Sequence, residues 1–293
     1  MLPALTTMVL LAVALYLERR RDIGASFIPP REIVERPRLM LLRSPTLLAL
    51  RSQTMSFVLW SIAIGSFAMV LGTVSKSVAQ ANLPESIKEQ LTKLGGVDFT
   101  TPAGYIGLVF LFFVLALALF GCSQLASIRE DESEGRLETL FAQPQGRYRW
   151  LAGRLSLAAT GAILLALVAG LGAAAGVGVV GAGVAFHRLV ETGLNCLPAS
   201  LLFLGLGALL VALAPRAGVG LAYAVVGAAF IWELVGALLG VPSWMLGISP
   251  FHQISLMPAQ SFRAEPAAVM LAIGLATAAA SLVVFRRRDL AGA

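Results

Sequence analysis

YIGLVFLFFVLALALFGCSQLAS, residues 105–127, holds 23 residues and no charge. As a helix rising ~1.5 Å per residue it matches the ~30 Å hydrocarbon core of a bilayer. REDESEGRLETLFAQPQGRYRW (129–150) follows at once, with five acids and four arginines, and then a second apolar stretch, LSLAATGAILLALVAGLGAAAG (155–176). Two spans joined by a charged loop is the reading that fits both the lengths and the contrast. Further out, apolar runs at 55–75, 196–213, 219–239 and 267–285 complete six spans, and a short run at 2–17 precedes them. Of 293 residues, 58% are hydrophobic and 13% charged, where a soluble domain carries about a quarter charged. The fold class expected is therefore all-α, a polytopic helical membrane protein.

Charge placement orients the chain. With the spans as assigned, seventeen Lys and Arg fall on the side of the 129–150 loop and five on the other: Lys76, Lys88, Lys93, Arg188 and Arg263. The positive-inside rule makes the arginine-rich side cytoplasmic, including the C-terminus with its FRRRD (285–289). The expected location is the cell membrane, multi-pass. Basic residues are not interleaved with aromatics as for nucleic acid. Cys122 and Cys196 lie in apolar runs without metal spacing and are read as packing residues.

The division expected is a leading transmembrane helix (1–17), a cytoplasmic connector with a surface helix (18–53), and a six-span unit (54–293). In LMLLRSPTLLALRSQ (39–53), Ser44 and Pro45 suit an N-cap and first helical position, and the leucines make one apolar side. That suggests a short amphipathic helix on the membrane surface; an N-terminal extension of the next span is the alternative. The span beginning near 155 is long and rich in glycine, with Gly172 and Gly176 forming a GxxxG helix-packing pair. Its last part, 176–186, could also leave the helix. FHRLVETGLN (186–195) reads as a short external turn. Segment 240–266 is apolar but broken by Pro242, Pro250 and Pro258, so it is expected as external or re-entrant pieces, buried in protein or facing a wet cavity. One echo is internal: RRRDI at 19–23 returns as RRRDL at 286–290. The first span would then be the closing helix of a preceding, duplicated unit.

Within 128–152, Glu132 and Arg136 form a favourable i,i+4 pair, Leu137, Leu140 and Phe141 share a face, and Pro144 ends the helix. An apolar face beside charges suggests a docking surface; a solvated loop is the other reading.

EGRLETLFAQPQGRYRWLAGRL resembles the cytoplasmic loop of ABC-2-type permeases, roughly Glu-x-Gly-x-x-Glu-x-Leu-Leu-x-x-Pro-x-x-Arg. Glu134 directly precedes Gly135, and Gly135, Glu138, Leu140, Pro144 and Arg147 match; Phe141 stands where leucine is usual, and Gln145-Gly146 where Val-Ser is common. Gly135-Arg136 and Ala142-x-Pro144 look more like the polyketide antibiotic exporter branch, whose chains carry two such units. The resemblance covers about 39–293 and implies a six-span ABC-2 permease unit preceded by one extra short span. It implies an exporter of hydrophobic or amphipathic molecules (polyketide, drug or lipid-like). ATP and Mg would sit on a separate ATPase chain and no cofactor on this one, which has no GxxxxGK[ST] loop. The ATPase-coupling residues implied are Arg129, Glu132, Glu134, Gly135, Arg136, Leu137, Glu138, Leu140, Phe141, Pro144 and Arg147. The other partner implied is a second permease unit, as homodimer or sister N-terminal half.

The competing reading is an ion-coupled secondary transporter. It needs intramembrane charge, and Glu233 in FIWELVGALLG is the one candidate. Glu233, Trp244 and Phe251 are expected to form an outer gate, with the carboxylate facing protein interior and a polar group or water beside it. His187 and His252 fall in different outer segments, each without an evident acid or nucleophile, so catalysis is not expected.

Overall fold

A computed structural model describes residues 45–80, 97–133 and 147–287. The described residues contain helices and no strands. Six segments are long and apolar enough to cross a membrane. The chain is thus a polytopic helical membrane protein. The leading run 2–17, the 19–23 echo and most of the connector lie outside the described residues.

Helix α1 (Pro45–Gln80) opens at the expected proline and runs 36 residues without a break. Residues 45–53 are therefore continuous with the first span of the unit rather than a separate surface helix. No glycine or proline occurs between Pro45 and Gly65, so nothing ends the helix once it has started. Helix α2 (Pro102–Ser133) begins behind Thr101, whose hydroxyl accepts from Gly104 N–H at 3.1 Å. Threonine at the cap and proline just inside it are what a helix start favours.

Helix α3 (Arg147–Val180) takes in only the first part of the stretch that had two readings, 176–180, and the chain leaves the helix after it. It stops at Gly181, which takes φ +60°, while Ala182 N–H reaches back to the Val177 carbonyl at 3.3 Å. That left-handed residue and six-to-one bond make a Schellman stop. Segment 186–195 is not a turn: Phe186–Leu194 forms helix α4, and Asn195 and Cys196 join it to α5 (Leu197–Leu213). Its Leu189, Thr192 and Gly193 are buried, and Gly193 lies against Ala166 and Gly170 of α3. The polar letters mark the open face of a helix packed on a neighbour. Helix α6 (Gly218–Leu238), the four-residue α7 (Ser243–Leu246) and α8 (Ala264–Arg287) complete the unit.

The bundle is built around α2 and α4–α5. In their most apolar stretches 67% of residues are buried, against 17% in α1 and 22% in α8. Phe113 and Leu117 of α2 are almost fully enclosed. Phe113 meets Phe110 and Phe67 at tilted angles, and Trp60 meets Phe120 edge-on. The exposed leucines, valines and isoleucines of α1 and α8 are what a span presents to lipid or to a neighbouring subunit.

Gly172 and Gly176 of α3 lie against α1. A Cβ on Gly172 would sit 2.6 Å from the Gly65 carbonyl, and one on Gly176 would overlap the Met69 carbonyl. Gly72 faces them from α1. Backbone meets backbone here, which only residues without a side chain permit.

Candidate functional site

Polar residues gather at the two ends of the bundle. At one end stand the N-terminal part of α1, the C-terminal part of α2, the start of α3 and the end of α8. Arg154 of α3 is 5% exposed, although its side chain carries a charge. Its Nη2 donates to Asp131 Oδ2 at 2.8 Å and to Ser127 Oγ at 3.1 Å, both on α2. Gln53 of α1 donates to the same Ser127 hydroxyl at 3.2 Å. Three helices are thereby tied through one guanidinium, whose Nε is buried without a hydrogen bond. Nearby, Arg129 pairs with Glu132 at 3.0 Å, and Trp150 stacks on Phe285 of α8 at 6.0 Å.

Of the predicted coupling residues, Arg129 and Glu132 close α2 and Arg147 opens α3. Glu134, Gly135, Arg136, Leu137, Glu138, Leu140, Phe141 and Pro144 lie outside the described residues. The structure therefore describes the two mounts of that segment. Arg154, Asp131, Ser127 and Gln53 were not singled out from sequence. The available signal was an arginine inside the otherwise apolar LAGRLSLAAT, where a charge needs a partner.

At the opposite end, residues 239–263 form a cap. Helix α6 stops at Gly240, with φ +69° and a Val241 N–H to Gly236 carbonyl bond of 3.0 Å. Beyond α7 the chain proceeds through turns and a cis Met257–Pro258 bond to α8. Helix side chains hold this irregular backbone: Trp232 donates to the Met245 carbonyl at 3.3 Å, Asn195 to Ser255 at 2.8 Å and Arg188 to Pro258 at 2.9 Å. From the cap, Ser249 donates to the Ala229 carbonyl at 3.2 Å. Phe251 is 1% exposed and packs against Phe203 and Phe230, and Phe230 also meets Phe112.

Glu233 lies beneath the cap, 3% exposed, with Oε1 at 3.1 Å from Nδ1 of His252. Oε2 is buried and makes no hydrogen bond. His252 thus has an acid partner, contrary to the sequence expectation, while His187 is exposed on α4. The two partners are 19 residues apart, and only the return of the cap over α6 joins them. Trp244 is 73% exposed, so within this chain it does not pack beside Phe251. An acid and an imidazole in contact can share a proton and fasten two elements. Among the described residues no cluster of three or more His, Cys, Asp or Glu is placed to hold a metal.

Residues 42–286 match a family model described as "Multidrug efflux system permease Rv1217c, C-terminal domain". The chain is also similar to the multidrug efflux system permease protein Rv1217c of Mycobacterium tuberculosis, with 30% identity over 287 residues, 97% of this chain and 52% of that protein. It spans about half the length of that curated relative. With six candidate spans, a cap and a family match over most of its length, this polytopic membrane protein belongs to the family of the C-terminal domain of the multidrug efflux system permease Rv1217c.

Proposed function

We propose that the chain is a membrane-spanning permease unit of an ATP-driven ABC exporter of the ABC-2 type, moving hydrophobic or amphipathic molecules outward. The observation that carries this reading is the charged segment between α2 and α3. It has the ABC-2 loop pattern, from Glu134-Gly135 to Arg147, and its mounts are joined by Arg154, Asp131 and Ser127. A push on the segment would reach α1, α2 and α3 together. The relative's description as part of a multidrug efflux system supports export as the task. ATP and Mg would be bound by a partner ATPase, with Glu134 and Glu138 meeting basic groups and Leu137 and Phe141 filling a groove. The pathway would lie between this unit and a second permease unit, and the greater length of the relative supports a sister half. In this reading the arginine-bearing end, with the C-terminus, is cytoplasmic and the cap external.

The test is Glu138→Lys in the chain co-expressed with its ATPase. Reversing a buried interface charge costs about 2–5 kcal/mol, so co-purification and drug export should fall while membrane insertion is kept. Unchanged binding and export would leave the segment a solvated loop.

A second reading, an ion-coupled transporter, rests on Glu233, a buried carboxylate with an imidazole beside it. Export that persists without the ATPase and stops when the proton gradient is collapsed would favour it.

A further inference from the structure

A cavity of about 570 Å³ opens on the flank of the bundle where α3, α4, α5 and α8 meet the cap. Ligand sites for small molecules are commonly ~300–1,000 Å³. Its walls are apolar, from Ile163, Leu197, Leu201, Met257, Phe262 and Leu271. Ile163 lies at the middle of the 34-residue α3, whereas Arg188 and Glu191 stand on α4 against the cap. The cavity therefore runs from mid-membrane toward the cap-side surface, about the depth of one leaflet.

Its polar end carries one charge of each sign. Arg188 and Glu191 are 3.8 Å apart on α4, with 38% and 50% of their side chains exposed. Arg188 is held in place by its 2.9 Å bond to the Pro258 carbonyl, and one such bond leaves other guanidinium donors for a ligand. A net anion there would meet Glu191 and a net cation Arg188. A headgroup with both charges side by side, on an apolar tail one leaflet long, satisfies both ends of the cavity.

We propose that this cavity is a binding site for a zwitterionic phospholipid of the cap-side leaflet, with phosphate on Arg188, ammonium on Glu191 and an acyl chain along Leu201 toward Ile163. A bidentate-capable guanidinium suits phosphate, and a carboxylate suits ammonium. The site does not depend on how transport is energised.

The experiment is native mass spectrometry of the full chain after exchange into mixed micelles carrying equal phosphatidylethanolamine and phosphatidylglycerol. The wild type should retain phosphatidylethanolamine about fivefold over phosphatidylglycerol, the order of one interfacial charge contact. Glu191→Gln, which leaves the Arg188–Pro258 bond in place, should erase that preference. Leu194→Trp, at the cavity edge, should lower retention of both lipids while Glu191 is intact. Equal retention of the two lipids by the wild type would overturn the proposal, as would an unchanged preference in Glu191→Gln. So would displacement of the lipid by a singly charged hydrophobic cation such as tetraphenylphosphonium with no loss in Glu191→Gln, because that ligand would be reading the apolar wall alone.

Discussion

The two polar ends of the bundle are fastened in opposite ways. At the arginine-bearing end, one buried guanidinium joins α1, α2 and α3 through Asp131, Ser127 and Gln53. At the cap end, several single bonds with α4, the α4–α5 joint and α6 each hold a different point of an irregular segment. A charge network that loses one member leaves a buried ion uncompensated, so it holds or fails as a whole. Separate bonds, each worth about 1 kcal/mol when neutral and about 1.5–3 kcal/mol when one partner is charged, can be released one at a time. One end is fastened as a single unit, and the other at separate points that can loosen locally.

The largest expected effect tests the first half of that contrast. Asp131→Ala should destabilise the unit by about 3–5 kcal/mol, because Arg154 is left buried without its carboxylate. Thermal unfolding in detergent reads this, and restoring part of the loss with Arg154→Met in the same chain would show that the unpaired charge is the cause. If Asp131→Ala alone melts like the wild type, the network does not hold the helices.

The α1–α3 crossing gives the next effect. Gly176→Ala places a methyl on the Met69 carbonyl and Gly72, and overpacking of that kind costs about 1–3 kcal/mol. Gly178→Ala, two residues on, meets nothing within 4 Å and should leave the melting temperature unchanged. Equal behaviour of the two variants would contradict the close approach.

At the cap, Glu233→Gln keeps the shape and removes the charge facing His252. Loss of that charged contact should loosen one attachment, by about 1–2 kcal/mol, without unfolding the bundle. A cysteine at position 255, where the native serine is buried in the cap, in a background lacking Cys122 and Cys196 but keeping His252, should then react several-fold faster with a polar thiol reagent applied from the cap side. Labelling that is the same with Glu and Gln at position 233 would show that the pair does not fasten the cap.

The smallest effect is expected at Trp244. With 73% of it exposed, Trp244→Ala should change stability by less than about 0.5 kcal/mol. A drop in the proposed export at constant stability would then place the indole against a partner or cargo rather than in the cap's own packing.

The contrast also explains what sequence could and could not disclose. Spans such as α2 are legible because an uncharged run of that length has few other uses, and the cap because three prolines forbid a continuous helix. Segment 186–195 misleads because His187, Arg188, Glu191 and Asn195 look like a surface turn until α3 supplies a face for Leu189 and Gly193. The Glu233–His252 and Gln53–Ser127 contacts join positions 19 and 74 apart. No local pattern encodes such pairs; they follow from how the helices pack. Gly172 and Gly176 announced a close crossing, but their partner on α1 depended on the same packing.

Three of the tethers that hold the cap end on main-chain carbonyls, those of Met245, Ser255 and Pro258. A carbonyl is present whatever side chain its residue carries. The anchorage thus places little constraint on the alphabet of the cap, and exposed positions such as Trp244 and Ile248 are open to drift through evolution while the attachments persist. Under the proposed export role, this surface could be diversified by single substitutions without redesigning the bundle that carries it.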